Sequence, residues 1–207
     1  MAKKINYGIL ASIDWNSNRW KNYPTNDDLL NSSYNYVVQN NHTFTYLNFA
    51  VDEVPGLKED QYEALIPHFW SEPPSIENRK YVNVIFVKSK NYLDNKTYII
   101  GLYAFPKFIK QRKNINFNGR TEVIDVNIAA KKADILLLDN FVDITNSELI
   151  NKILPKGKKA GKMNFNYLTS TNVKNILDLL RKQNPDMMEL KLINGIKGRL
   201  LKSLPSL

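Results

Sequence analysis

Over its first two thirds the chain alternates short apolar runs with polar, turn-rich stretches. Only the last third carries the 3.6-residue spacing of amphipathic helices. "INYGILAS" (5–12) predicts a first strand, and "IDWNSNRWKNYPTNDD" (13–28), rich in Asn, Asp and Ser, predicts a loop that nevertheless holds two tryptophans. "HTFTYLNFAVDEV" (42–54) reads as a second strand by its alternation. "LKEDQYEALIPHFW" (57–70) reads as a short helix stopped by Pro67. The strongest local signal is a pair of β-rich runs, 81–90 and 96–109, joined by "NYLDN", which predicts an antiparallel hairpin. Residues 121–130 and 133–144 give two more strand-like pieces, with 128–138 also open to a helix. In 169–185, Val173, Ile176, Leu177 and Leu180 fall at i, i+3, i+4 and i+7. Ser170 or Thr171 is available as the cap, and Arg181 and Lys182 suit the C-terminal end of the dipole. A second amphipathic helix, about 186–203, follows Pro185. No internal repeat or low-complexity linker interrupts the chain. The pattern predicts an α+β fold, a curved and mainly antiparallel sheet with flanking helices.

The stretch "YIIGLYAFPKFIKQRK" (98–113) joins this architecture to charge. Its alternation places Tyr98, Ile100, Leu102 and Ala104 on one face and Ile99, Gly101, Tyr103 and Phe105 on the other. A mid-strand glycine costs stability unless a bend or a close backbone approach requires it. Pro106 then ends regular pairing, and Lys107, Lys110, Arg112, Lys113 and Arg120 follow with no acid before Glu122. A second basic run, Lys152 to Lys174, includes Lys156, Lys158, Lys159 and Lys162 and contains no acid at all.

This clustering gives the net charge of +9 its meaning. Residues 1–105 hold 10 Lys/Arg against 11 Asp/Glu, whereas residues 106–207 hold 19 against 9. The whole excess therefore lies in the second half, which points to a polyanionic partner, nucleic acid before a membrane surface. No run approaches the 18 apolar residues of a membrane span, and "MAKKINYGIL" is no signal peptide. With no cysteine, disulfides, thiol catalysis and thiolate metal sites are excluded, and a reducing cytoplasm is the expected compartment.

Two short motifs resemble chemistry. "GKKAGKM" (157–163) is one residue too short between Gly157 and Gly161 for a phosphate-binding loop and has Met163 where a hydroxyl must reach magnesium. "PDMMELK" (185–191) contains Asp186, Glu189 and Lys191, the residue types of a metal-dependent nuclease. Both acids fall three apart on one expected helix, where Asp186 suits the first turn. His42 and His68 lie at no metal-ligand spacing. The expectation is a chain that is not an enzyme and carries no cofactor or metal, with the nuclease as an alternative. Trp15, Trp20 and Trp70 lie in polar, loop-like surroundings. Together with Tyr103 they are candidates for stacking on a base, or else for covering the ends of a small barrel.

"VNVIFVKSK…TYIIGLYAF" resembles the central hairpin of PUA-like modules of the EVE/YTH type, glycine included. "NFNYLTSTNVKNILDLL" resembles the segment closing such modules in front of the GTP-driven motor of McrB-type modification-dependent restriction systems. The likeness covers roughly residues 81–184. It implies a small, strongly curved, mainly antiparallel β-barrel with flanking helices over residues 1–184, and a helical extension or linker at 185–207 leading toward a motor domain. It further implies base flipping into a pocket that accepts an often methylated base, with DNA as ligand and a GTPase motor and nuclease subunit as partners. An RNA-binding protein of the PUA class is the alternative reading. The nucleic-acid contacts expected are Lys107, Lys110, Arg112, Lys113, Arg120, Lys156, Lys158, Lys159 and Lys162.

Overall fold

The hairpin of β3 (Val84–Lys90) and β4 (Thr97–Ala104) forms as its alternation requires and lies at the centre of the molecule. The computed structural model describes residues 5–52, 60–160 and 164–203. β1 (Gly8–Ile13) pairs parallel with β3, and β7 (Ile135–Asp143) pairs antiparallel with β4. The short β8 (Asn166–Leu168) adds an antiparallel edge on β1, so the first sheet has the order β7-β4-β3-β1-β8. A second sheet has the order β2-β6-β5, from β2 (Gln61–Ala64), β5 (Lys107–Phe117) and β6 (Arg120–Lys131). Seven α-helices occur among the described residues: α1 (Asn26–Leu30), α2 (Asn35–Asn40), α3 (Pro67–Ser71), α4 (Ile76–Arg79), α5 (Ser147–Ile153), α6 (Ser170–Gln183) and α7 (Met187–Lys202). The class is α+β, and among the described residues the two sheets remain open and do not close into a barrel. Phe105 explains the break. It takes a left-handed conformation (φ 50°), its N–H donates to Asn83 O at 2.8 Å, and the chain leaves the first sheet before β5 begins the second.

Three layers result, because β1, β3 and β4 are covered on both faces. Ile9, Ala11, Ile13, Ile85, Val87, Ile100 and Tyr103 pack toward the second sheet, meeting Ile115, Phe117, Ile124, Val126 and Ile128. Leu10, Val84, Phe86, Ile99 and Leu102 pack toward the helices, meeting Val173, Ile176, Leu177 and Leu180 of α6 and Ile193, Ile196 and Leu200 of α7. Ile100 and Leu102 therefore enter opposite cores, although simple alternation assigns them one face. A bulge between Ile99 and Gly101 reverses the parity. Gly101 sits where a Cβ would lie 2.4 Å from Leu136 O and 2.7 Å from the Phe49 ring, so the close approach requires glycine.

Three local expectations are corrected. Residues 42–52 form no strand. Thr45–Leu47 is a 3-10 turn, and Thr45 through Ala50 are all buried because the segment is enclosed on every side. Pro67 starts α3 instead of ending a helix, since a proline ring suits the first helical position, and β2 precedes it. Regular pairing does not end at Pro106: the basic stretch after it is strand β5, paired from Lys107 with β6, and it turns at Asn118–Gly119, both at positive φ, as a tight hairpin turn needs. The N-cap of α6 is Thr169, whose hydroxyl accepts from Asn172 N at 3.2 Å in a capping box. Residues 132–134, where a helix was also open, form a 3-10 turn between strands. Among the described residues no helix is long and apolar enough to cross a membrane.

Candidate functional site

A concavity lies at the end of β1, between the α1–α2 segment and α3. It has a volume of about 410 Å³ and walls of Tyr34, Tyr36, Phe44 and Trp70, with Asp14 and Thr45 inside it. Side-chain hydrogen bonds hold these walls where no regular pairing exists. Asp28 caps α1 with Thr25 and accepts from both the backbone N (3.0 Å) and the hydroxyl (2.7 Å) of Ser17, closing the 17–28 loop. The side-chain amides of Asn48 and Asn127 do the same after β2. Asn48 bonds both backbone groups of Leu65 (2.7 and 3.1 Å), and Asn127 both of Ile66 (2.8 and 2.9 Å). The chain therefore enters α3 at a set angle. Phe69 is buried in the core, while His68 and Trp70 on either side of it line the cavity.

The cavity is mainly apolar but contains two unusual polar groups. Asp14 is almost wholly buried and accepts a short hydrogen bond from the Thr45 hydroxyl, itself 3.1 Å from that of Thr43. Burial pushes its carboxyl up to about 6, a rise that the Thr45 and Thr43 hydroxyls partly oppose. The Tyr34 hydroxyl is buried with no hydrogen-bond partner of normal geometry among the described residues; burial, then the nearby Asp14, raises its pKa, and the neighbouring Ser12 hydroxyl opposes the rise. A buried donor left unpaired costs roughly 1–3 kcal/mol, and a polar ligand in the cavity would remove that cost. His68 is 3.4 Å from Glu72, and Asp125 accepts from Arg112 Nε at 2.7 Å and Nη2 at 3.1 Å.

The sequence-predicted residues divide sharply. Trp70 lines the cavity, and Lys110 Nζ lies over its ring, 4.9 Å from the centroid. Trp20 is fully buried, with its indole N–H donating to Asp14 O at 2.9 Å, and Tyr103 is fully buried with its hydroxyl on Asn48 O. Neither can stack on a ligand. Trp15 is half-buried against Trp20, Tyr98 and Phe141, outside the cavity. The basic set divides as well. Arg112 is bound in a two-pronged pair with Asp125, and Lys113 is paired with the buried Glu63, so both charges are largely answered within the protein. Lys107, Lys110, Arg120, Lys156, Lys158 and Lys159 are exposed, with no acidic partner among the described residues. Lys162 lies outside the described residues, as do Gly161 and Met163 of the phosphate-loop-like motif. Phe165, which follows that basic segment, has its ring centroid 5.1 Å from that of Phe69 and 5.5 Å from that of His68, so residue 165 itself lies beside α3.

In the nuclease-like set, Asp186 caps α7 by accepting from Met188 N (2.9 Å) and Glu189 N (3.3 Å). Glu189 is buried and accepts from Asp139 N at 3.1 Å, while Lys191 is exposed. Among the described residues no group of three His, Cys, Asp or Glu could hold a metal ion.

Sequence reasoning missed Tyr34, Tyr36, Phe44 and Asp14. Asp14 and the tyrosines stand in segments of no periodicity, and Phe44 was assigned to a strand. No family model, curated protein or solved structure matches the chain.

Proposed function

We propose that this chain is a non-catalytic nucleic-acid-binding module, with DNA favoured over RNA, that accepts an unstacked base, plain or methylated, in the cavity walled by Tyr34, Tyr36, Phe44 and Trp70. One observation carries the reading: Trp70 is at once a wall of an aromatic cavity and the seat of an exposed cation, Lys110, that has no acidic partner among the described residues. Flat rings bind any base by stacking, and a neighbouring cation binds the phosphate that comes with it. Lys107 and Arg120 on the same β5–β6 hairpin, with Lys156, Lys158 and Lys159 ahead of Phe165, extend the electrostatic footprint. The PUA-like, EVE/YTH-type relationship, a cytoplasmic setting and a place in front of a restriction motor belong to this same proposal. Their support is the β3–β4 hairpin with its close-packed Gly101.

Titration with single- and double-stranded DNA oligonucleotides, plain and base-methylated, tests the reading through tryptophan emission and gel shift. Quenching is expected to persist in Trp15→Phe and to vanish in Trp70→Phe. Matched RNA is expected to compete less well than DNA. Absence of any shift or quenching with every oligonucleotide would overturn it.

A further inference from the structure

A groove of about 320 Å³ adjoins the cavity, lined by Phe69, Trp70, Arg79, Phe108 and Lys110 among others, and Trp70 and Ser71 belong to both concavities. Two cations lie over two of its rings. Lys110 Nζ is 4.9 Å from the Trp70 centroid, and the Arg79 guanidinium carbon is 5.6 Å from the Phe108 centroid. Arg79 is held in place by a hydrogen bond from its Nε to Pro74 O at 2.6 Å. Neither cation has an acidic partner among the described residues. Walls of ring faces flanked by two unanswered positive charges fit a ligand that is both planar and anionic. A neutral aromatic would leave the charges unmet, and an acidic peptide would leave the rings unused.

We propose that this groove is a second nucleotide subsite, which takes the phosphate and base next to the base in the cavity, so that the chain holds two consecutive nucleotides of one unpaired strand across Trp70. The proposal rests on the base-binding reading of the cavity. Arg79 and Lys110 hold the connecting phosphodiester, and Phe108 offers the stacking face for the second base. It predicts that affinity rises in a step when a probe grows from one residue to two, and that Arg79 carries part of that step.

The test uses the whole chain and two kinds of probe, the four deoxynucleosides, which lack phosphate, and the corresponding dinucleoside monophosphates. Binding is followed by calorimetry at several salt concentrations. In the parent the dinucleoside probes are expected to bind about tenfold tighter or more than the nucleosides. Arg79→Gln is expected to cut this gain to about threefold or less and to lower the salt slope by about one, with nucleoside affinity unchanged. Its melting temperature should stay within about 2 °C of the parent's; should it fall further, Phe108→Leu replaces it and is expected to lose the same gain. A parent that gains nothing from the second residue, or variants that keep the full gain, would overturn the groove while leaving the cavity reading intact. Equal loss of nucleoside and dinucleoside binding in Arg79→Gln would also overturn it, since Arg79 would then merely shape the cavity. If no probe binds the parent at all, the cavity reading falls and the groove falls with it.

Discussion

Two aromatic clusters of this protein grow from the same kind of polar, turn-rich sequence and come to opposite ends. Around Trp20, the rings of Trp15, Phe49 and Phe141 close on one another at centroid distances of 5.6–6.5 Å, and the Trp20 N–H is used by a backbone carbonyl. Around Trp70, the rings of Tyr34, Tyr36 and Phe44 border open space, Tyr36 is 54% exposed, and the Tyr34 hydroxyl has no partner among the described residues. The first cluster has closed its ring faces within the protein, although the Trp15 indole N–H, like the Tyr34 hydroxyl, has no partner among the described residues. The second leaves ring surface for something else. Both clusters are built of several aromatic rings from polar stretches of sequence, so what separates structure from binding is whether the rings face each other or face a space.

The sharpest break of this contrast is Trp20→Ala. Removing a fully buried indole is expected to cost about 3–5 kcal/mol in denaturant unfolding, whereas Trp70→Ala should cost about 1 kcal/mol or less, in line with its half-buried position. Equal losses would erase the distinction.

Asp14, which touches both clusters, gives the next effect. Burial pushes its carboxyl up to about 6 in the folded chain, against 3.8 as the ordinary value. The folded state therefore disfavours the ionised form. Stability relative to Asp14→Asn is greatest below about pH 4, falls as pH rises through about 6, and is constant above that. Urea unfolding of parent and variant from pH 4 to 7.5 should give a difference that changes by on the order of 3 kcal/mol. A flat difference would place the carboxyl in water.

On the binding side, Trp70→Ala should weaken oligonucleotide affinity by roughly 1–3 kcal/mol in calorimetric titration, and Trp15→Ala by nothing beyond error. The smallest effect sharpens the charge side of the contrast. Lys110→Ala is expected to lower the slope of log affinity against log salt by about one, and Arg112→Ala to leave it unchanged because Asp125 already answers that charge. A larger loss from Arg112→Ala would reverse the assignment.

Much of the scaffold was legible in the sequence, because strand and helix periods are local. The β3–β4 hairpin, β6, β7 and the buried stripe of α6 all follow from spacing alone. The strand beyond residue 109 escaped because its run of charges hides any alternation. It is a strand with only Ile115 and Phe117 fully buried, so the usual alternation is almost absent. Of the base-stacking candidates only Trp70 reaches the cavity, and the other walls come from positions 14, 34–45 and 65–71, brought together by Asp28, Asn48 and Asn127.

The sequence by itself determined the α+β class, the β3–β4 hairpin and the concentration of positive charge beyond residue 105, because propensity, spacing and charge depend only on neighbours along the chain. Tertiary structure alone decided which aromatic rings face a cavity and which lysines and arginines keep an unanswered charge. Those depend on partners such as Asp125, 13 residues from Arg112, and Glu63, 50 residues from Lys113, which no local pattern can assign.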